Sequence, residues 1–112
     1  MAEINVFFAD GFLDGLFKHL EMSGDHQTYR EVRLYLDKLK EFGLSMNEKF
    51  KRNSIKRLKS GLFYLRPKRI RIYFTVIMEN EYHLLSWYNK KSKKSPKKEI
   101  DRAINLSKRL KK

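Results

Sequence analysis

Arginines, lysines and tyrosines recur at chosen intervals in the second half of this chain, and their intervals limit the chemistry open to it. From Ile70 to Met78, strand alternation sets Ile70, Ile72, Phe74, Val76 and Met78 on one side and Arg69, Arg71, Tyr73 and Thr75 on the other. The first set suits a core. The second places two guanidinium groups beside a phenol and a hydroxyl, on a face expected to lie opposite the helices, and suits a polyanion. In Leu62 to Arg66 the same alternation groups Tyr64 with Arg66, so those two join the arginine face if the two strands are antiparallel neighbours. Further on, Lys90, Lys91, Lys93, Lys94, Lys97 and Lys98 crowd into one short run. By itself such a run is more often a solvated face or tail than a site. His19, His26 and His83 are scattered, with no acidic cluster at ligand spacing, so neither a metal site nor a cofactor is expected.

The whole chain carries the same sign. It has 26 Lys and Arg against 13 Asp and Glu, a formal charge of +13. Nucleic acid is the leading partner, because each neutralised phosphate releases counterions, and an acidic protein is equally allowed by charge. No membrane partner is expected, since only the last helix approaches a basic amphipathic pattern and it is weak. Hydrophobic residues at 41% suffice for a core, and 112 residues suffice for one domain, spanning 1–112. There is no cysteine, and Met-Ala-Glu-Ile-Asn lacks a basic, apolar leader, so a cytoplasmic location is expected.

Those residues need positioning elements. Ile4 to Ala9 suits a buried strand, with Asp10 available to cap the helix that follows. Phe12, Leu13, Leu16, Phe17 and Leu20 make a helical stripe, and Tyr29, Val32, Leu36, Leu39 and Phe42 make a second one, stopped by Gly43. Residues 44 to 54 have no period and suggest a connecting loop. Strands are expected at Leu62 to Arg66, Ile70 to Met78 and Tyr82 to Tyr88. Ser95-Pro96 resembles the N-cap and first residue of a last helix with apolar face Ile100, Ala103, Ile104 and Leu110. The order is β-α-α-β-β-β-α. Alternation in the last strand groups His83 with Leu85 and Trp87 toward the core, and leaves Trp87 open between core packing and stacking on a nucleotide.

Three blocks carry a resemblance: Leu58-Lys59-Ser60-Gly61-Leu62-Phe63-Tyr64-Leu65-Arg66, then Arg71-Ile72-Tyr73-Phe74, then Lys90-Lys91-Ser92-Lys93-Lys94-Ser95-Pro96-Lys97-Lys98-Glu99-Ile100, closed by Ala103. In this order and spacing, over 55 to 103, the chain resembles the phage-derived branch of the HigB toxins, within the RelE/ParE-like superfamily. Residues 1 to 54 agree only in layout. The resemblance implies an α+β fold, with a helical hairpin and a C-terminal helix packed on a small, curved, mainly antiparallel sheet. It further implies the toxin of a type II toxin-antitoxin pair, a ribosome-dependent mRNA endoribonuclease or mRNA interferase. The partners would be mRNA on the ribosome, in the A site, and a cognate helix-turn-helix antitoxin.

Carried over by position, the resemblance makes Arg66, Arg71, Lys90 and Lys91 the catalytic candidates, with Tyr64, Arg69, Tyr73, Tyr88, Lys93, Lys94, Lys97 and Lys98 as RNA-binding candidates. Many relatives have His-Gly-Phe before the doubled lysine where this chain has Ser86-Trp87-Tyr88, so a histidine acid or base is missing there. RNA cleavage by its own 2′-hydroxyl needs a base, charge stabilisation at phosphorus and an acid, and no metal. A lysine crowded by cations gives up its proton more readily, which suits Lys90 or Lys91 for either proton role. Arg66 and Arg71 suit the phosphorane, because a guanidinium stays charged and offers a rigid fork. Tyr73 and Tyr88 could stack on a base. Lys97 and Lys98 stand in a first helical turn, where the macrodipole disfavours cations and a phosphate would compensate. Lys108, Arg109, Lys111 and Lys112 fit a helix C-terminus without any functional role. Two other functions fit the same charge: a ParE-like inhibitor of DNA gyrase, and a non-catalytic RNA- or ribosome-binding protein.

Overall fold

The computed structural model describes residues 3–91 and 96–110. The chain runs β1 (Asn5–Phe8), α1 (Phe12–Ser23), α2 (His26–Phe42), a 3-10 turn (Gly43–Ser45), α3 (Met46–Lys49), β2 (Ile55–Arg57), β3 (Leu62–Leu65), β4 (Ile70–Ile77), β5 (Glu81–Asn89) and α4 (Lys97–Leu110). The five strands make one sheet in the order β1-β5-β4-β3-β2, with β1 parallel to β5 and every other pair antiparallel. This is the expected α+β order, enlarged by two short elements, α3 and β2.

The helices form where their apolar stripes find the sheet. Leu16 and Leu20 of α1 and Val32 and Leu39 of α2 are buried against Ile70, Ile72, Phe74 and Leu84. Truncating the fully buried Phe74 to Ala should cost about 3–5 kcal/mol. Asp25 caps α2, its Oδ1 accepting from the Thr28 amide at 3.1 Å and its Oδ2 from the Thr28 hydroxyl at 2.6 Å. Asp10 does not cap α1: Gly11, at φ 74°, holds that position without a side-chain bond. Gly43 does end α2 and is buried, because a Cβ there would meet the Tyr82 hydroxyl, which accepts from the Leu44 amide at 3.0 Å.

Several expectations change. Residues 44–54 are not a plain loop: Met46 is fully buried, and the Asn47 amide exchanges two hydrogen bonds with the Ile55 backbone, at 2.9 and 3.1 Å. That side chain gives β2 a neighbour on the edge of the sheet. β1 is not a buried strand but an edge strand, with Phe7 and Phe8 exposed. Met78 and Leu110 are exposed as well, at the turn after β4 and the end of α4.

The largest correction concerns the arginine face, which was expected to be free of helices. α4 lies on it and builds a second cluster from Leu62, Tyr73, Leu85 and Ala103. Tyr73 is 3% exposed and Thr75 is fully buried. The apolar content of α4, centred on Ala103 and Ile100, drives this contact, and without it Leu62 and Leu85 would face water. A bulge adds a further change: Tyr73 pairs with Ser86 but Phe74 with Leu84, so Leu85 is the extra residue of β5. Alternation therefore reverses at that point. Leu85 and Ser86 both turn to α4, whereas Trp87 turns to α1 and packs on His19 with ring centroids 5.1 Å apart. His83 lies across from Thr75, not in the main core, and stacks on Phe7 at 4.8 Å. It is half-buried.

Candidate functional site

β2 begins, β3 ends, β4 begins and β5 ends at one end of the sheet. The connections there carry Lys51, Arg52, Arg66, Lys68, Arg69, Lys90 and Lys91, and β4 itself carries Arg71. Antiparallel pairing is what collects them, since residues up to forty apart in sequence must return to the same edge. Ser54 and Arg66 are joined by an amide-to-carbonyl bond of 3.1 Å, and Lys90 and Arg69 by one of 2.7 Å. The segments bearing Arg52, Arg66, Arg69 and Lys90 are thereby laced together.

Into this end opens a groove of about 320 Å³, lined by Glu31 and Tyr35 of α2, by Lys51, Arg52 and Asn53 before β2, and by Arg66 and Lys68 after β3. Arg66 Nε is shut from solvent and meets no acceptor among the described residues. A buried donor left this way costs roughly 1–3 kcal/mol, more when the group is charged. Asn53 and Lys68 both hold left-handed backbone, at φ 64° and 51°. Asn tolerates this well and Lys does not. The turn at Lys68 aims its carbonyl at Arg71, whose Nη1 donates to it at 2.7 Å and to the Ile70 carbonyl at 3.0 Å.

Arg71 is half-buried at the sheet end, on the face of β4 that carries Tyr73 and across from Tyr88. Burial, and then the neighbouring charge of Arg66, lowers its pKa from the ordinary arginine value, while Tyr64, Tyr73 and Tyr35 act in the opposite direction. A guanidinium remains charged through such a shift. Burial pushes the Tyr73 phenol up to about 12, with Tyr64 adding to it, so it stays a neutral donor. Its ring is tilted against Tyr64 at 5.8 Å. Asp25 is held below the usual carboxylate range first by its two bonds from Thr28, with Arg69 and Lys68 contributing positive charge.

Of the catalytic candidates, Arg66 and Arg71 are neighbours, and the exposed Lys90 and Lys91 leave β5 beside them through the Lys90–Arg69 bond. The Lys91 amide donates to Asn89 Oδ1 at 2.9 Å, and Asn89 Nδ2 lies 2.9 Å from His19 Nε2, so α1 is tied to the turn that carries the two lysines. Among the RNA-binding candidates, Arg69 is exposed, Tyr64 is half-buried, and the half-buried Tyr88 stands across from Arg71. Tyr73 does not belong with them, because α4 covers it and leaves no ring face for a base. Lys97 and Lys98 are exposed in the first turn of α4, where Glu99 offsets their unfavourable position. Lys93 and Lys94 lie outside the described residues, as do the N-cap Ser95 and the terminal Lys111 and Lys112. Ser86 is buried and donates to the Glu99 carbonyl at 2.9 Å, so it fastens α4 to the sheet.

Sequence reasoning missed Lys51, Arg52, Glu31 and Tyr35. Glu31 and Tyr35 are one helical turn apart, a spacing that puts both on one face of α2, and a carboxylate beside a core-facing stripe was the available signal. Lys51-Arg52 gave no signal of its own within a basic stretch.

This arrangement gathers Lys51, Arg52, Arg66 and Lys68 around one groove, with Arg71 close enough to feel the charge of Arg66. Known proteins share its framework. The YoeB dimer from Staphylococcus aureus superposes with a TM-score of 0.52 at 20% identity, over 76% of this chain and 94% of that one. The heterotetrameric YoeB-YefM toxin-antitoxin complex from Staphylococcus aureus gives 0.51 at 20% identity, with the same coverage. At that identity the likeness is one of fold. No curated protein sequence matches the chain. Residues 22–108, which include every described candidate above, match the model of the phage-derived Gp49-like proteins (DUF891), and the chain belongs to that family.

Proposed function

We propose that this protein is the toxin of a toxin-antitoxin pair, of the phage-derived HigB type, and that it cleaves mRNA on the ribosome. The observation that carries the proposal is the Arg66–Arg71 pair at a sheet end crowded with lysines, with Arg66 Nε buried and unmet. Arg66 lines the groove, so a phosphate oxygen entering it would meet the guanidinium at its Nη nitrogens. The fold shared with YoeB, a toxin whose complex with an antitoxin is known, supports the same reading.

In the proposed reaction the 2′-oxygen attacks the adjacent phosphorus, the bond from phosphorus to the 5′-oxygen breaks, and a 2′,3′-cyclic phosphate and a 5′-hydroxyl result. Arg66 and Arg71 stabilise the charge that builds on the phosphorane oxygens. Glu31 on the groove wall, or Lys90 or Lys91, takes the proton from the 2′-hydroxyl, and another lysine of the site gives one to the leaving 5′-oxygen. Tyr88 and Tyr64 border the site and orient the nucleotide. The groove reads phosphate and has no pocket shaped to a base edge, so the ribosome supplies the placement of the mRNA.

Primer extension on a translated transcript, with and without ribosomes, tests this. Cuts within codons should appear only with ribosomes. Equal cutting of naked RNA at the same positions would overturn the ribosome requirement. Folded protein that arrests growth without any cutting would favour gyrase inhibition, and binding to RNA without arrest would favour a non-catalytic role.

A further inference from the structure

The second concavity lies toward the other edge of the sheet. It is a groove of about 840 Å³, and five consecutive residues of β5, Leu85 to Asn89, line it. Consecutive strand residues point to opposite faces, so a groove touched by all five follows the edge of the strand and neither face. α1 walls one side and α4 the other. β1 covers β5 only from Glu81 to Leu84, and at Gly11 the left-handed turn takes the chain out of the sheet into α1. Beyond Leu84 that side of β5 has no strand neighbour among the described residues. Because the Lys90 amide points across β4 to the Arg69 carbonyl, alternation aims the amides and carbonyls of Asn89 and Trp87 into the groove.

We infer that this groove takes one extended segment of a partner protein, paired along Trp87 to Asn89 as an added strand, with apolar residues facing inward and acidic residues facing α4. The apolar lining of Phe12, Trp87 and Leu106 accounts for the first half of that pattern. Lys98 and Arg109 on the α4 wall, with Arg102 shared with Glu99 at 3.8 Å and a chain charge of +13, account for the second. Exposed Phe7 and Phe8 extend the apolar surface at the groove's far end. Under the toxin reading the partner is the antitoxin, and the inference rests on that reading for the partner's role alone. The groove meets the catalytic end at Asn89, where the bonds from His19 and to the Lys91 amide begin, so a strand seated there holds the lysine turn from behind without competing for phosphate.

The experiment is selection from a displayed library of random ten-residue peptides on the full chain. Enriched peptides should alternate apolar and acidic residues over at least four positions and protect the Trp87 and Asn89 amides from hydrogen exchange. Their binding should weaken about tenfold or more in Leu106→Glu and in the Arg102→Glu, Arg109→Glu pair. N-methylation of alternate peptide bonds should weaken it similarly, since it removes the pairing donors. Peptides with helical spacing, binding indifferent to the wall variants, or no enrichment at all would overturn the inference. So would protection of the same amides by single-stranded RNA, or by the protein itself as its concentration rises. Both wall variants should still arrest growth when the parent does. A parent that never arrests growth would defeat the toxin reading while the peptide result still judged the groove.

Discussion

The two concavities of this small protein are made from different material. The groove at the sheet end is built from five loop residues against Glu31 and Tyr35 of α2, four of its seven lining side chains are cationic, and its backbone is held in left-handed turns at Asn53 and Lys68. The groove along β5 is built from regular elements, its floor is apolar, and its cations are balanced in part by Asp10 and Glu99. Charge held on constrained loops suits a ligand whose recognition is electrostatic and whose bonds are about to change. A strand edge between two helices suits a ligand that is held and left intact. Under the proposed function one surface acts and the other is held by a partner, and single substitutions should separate them.

The largest expected effect is at Arg71. Arg71→Lys keeps the charge but loses the planar guanidinium, whose Nη1 is anchored on the Lys68 and Ile70 carbonyls and whose other donors are the fork. Ribosome-dependent cleavage should fall on the order of a hundredfold while binding to ribosomes persists. Arg66→Lys should behave alike. Cleavage rates read beside circular dichroism and soluble yield check this, and parental rates in both folded variants would move the site elsewhere. Asn89→Ala comes next: it removes the acceptor of the Lys91 amide and the link to His19, and should slow cleavage roughly fivefold, the worth of about one hydrogen bond. Single-turnover rates with ribosomes in excess would show it.

Smaller effects sharpen the contrast between the grooves. Lys51→Ala and Arg52→Ala should each lower the salt dependence of RNA binding by about one unit of slope, with little loss of cleavage at low salt. Fluorescence titrations across a salt series measure that slope. Peptide binding along β5 should not change in the same variants. Lys68→Gly should do two opposite things: relieve the left-handed backbone, raising stability by about 1 kcal/mol in urea unfolding, and weaken RNA binding. A gain in stability with unchanged binding would mean that Lys68 serves neither the fold nor the ligand. Lys108→Ala, in the exposed last turn of α4, should change nothing measurable and serves as the control.

Much of the framework follows from the sequence because its signals are local. The stripe through Val32 and Leu39 needs only helical spacing to be recognised, and the alternation from Ile70 to Phe74 only a strand's period. Arg66 and Arg71 can be grouped by alternation in two antiparallel strands, whereas Lys90 joins them only through the family resemblance. Other parts depended on long-range packing. α4 chose the arginine face because Leu62, Leu85 and Ala103 gain most by meeting there, and this turned Tyr73 from a ligand-facing candidate into a core residue. The bulge at Leu85 exchanged the faces of β5, a change of register that leaves no mark in a two-residue period. Lys51, Arg52 and Glu31 joined the site only because α3 and the Asn47 bonds fold the stretch before β2 against α2. The sequence alone determined which side chains could bind a phosphate and the order of the elements carrying them, since composition and period are properties of neighbours. Which of those side chains reach the same groove was decided by tertiary structure, because burial under α4 and the return of distant loops to one sheet end are set by contacts between residues far apart in the chain.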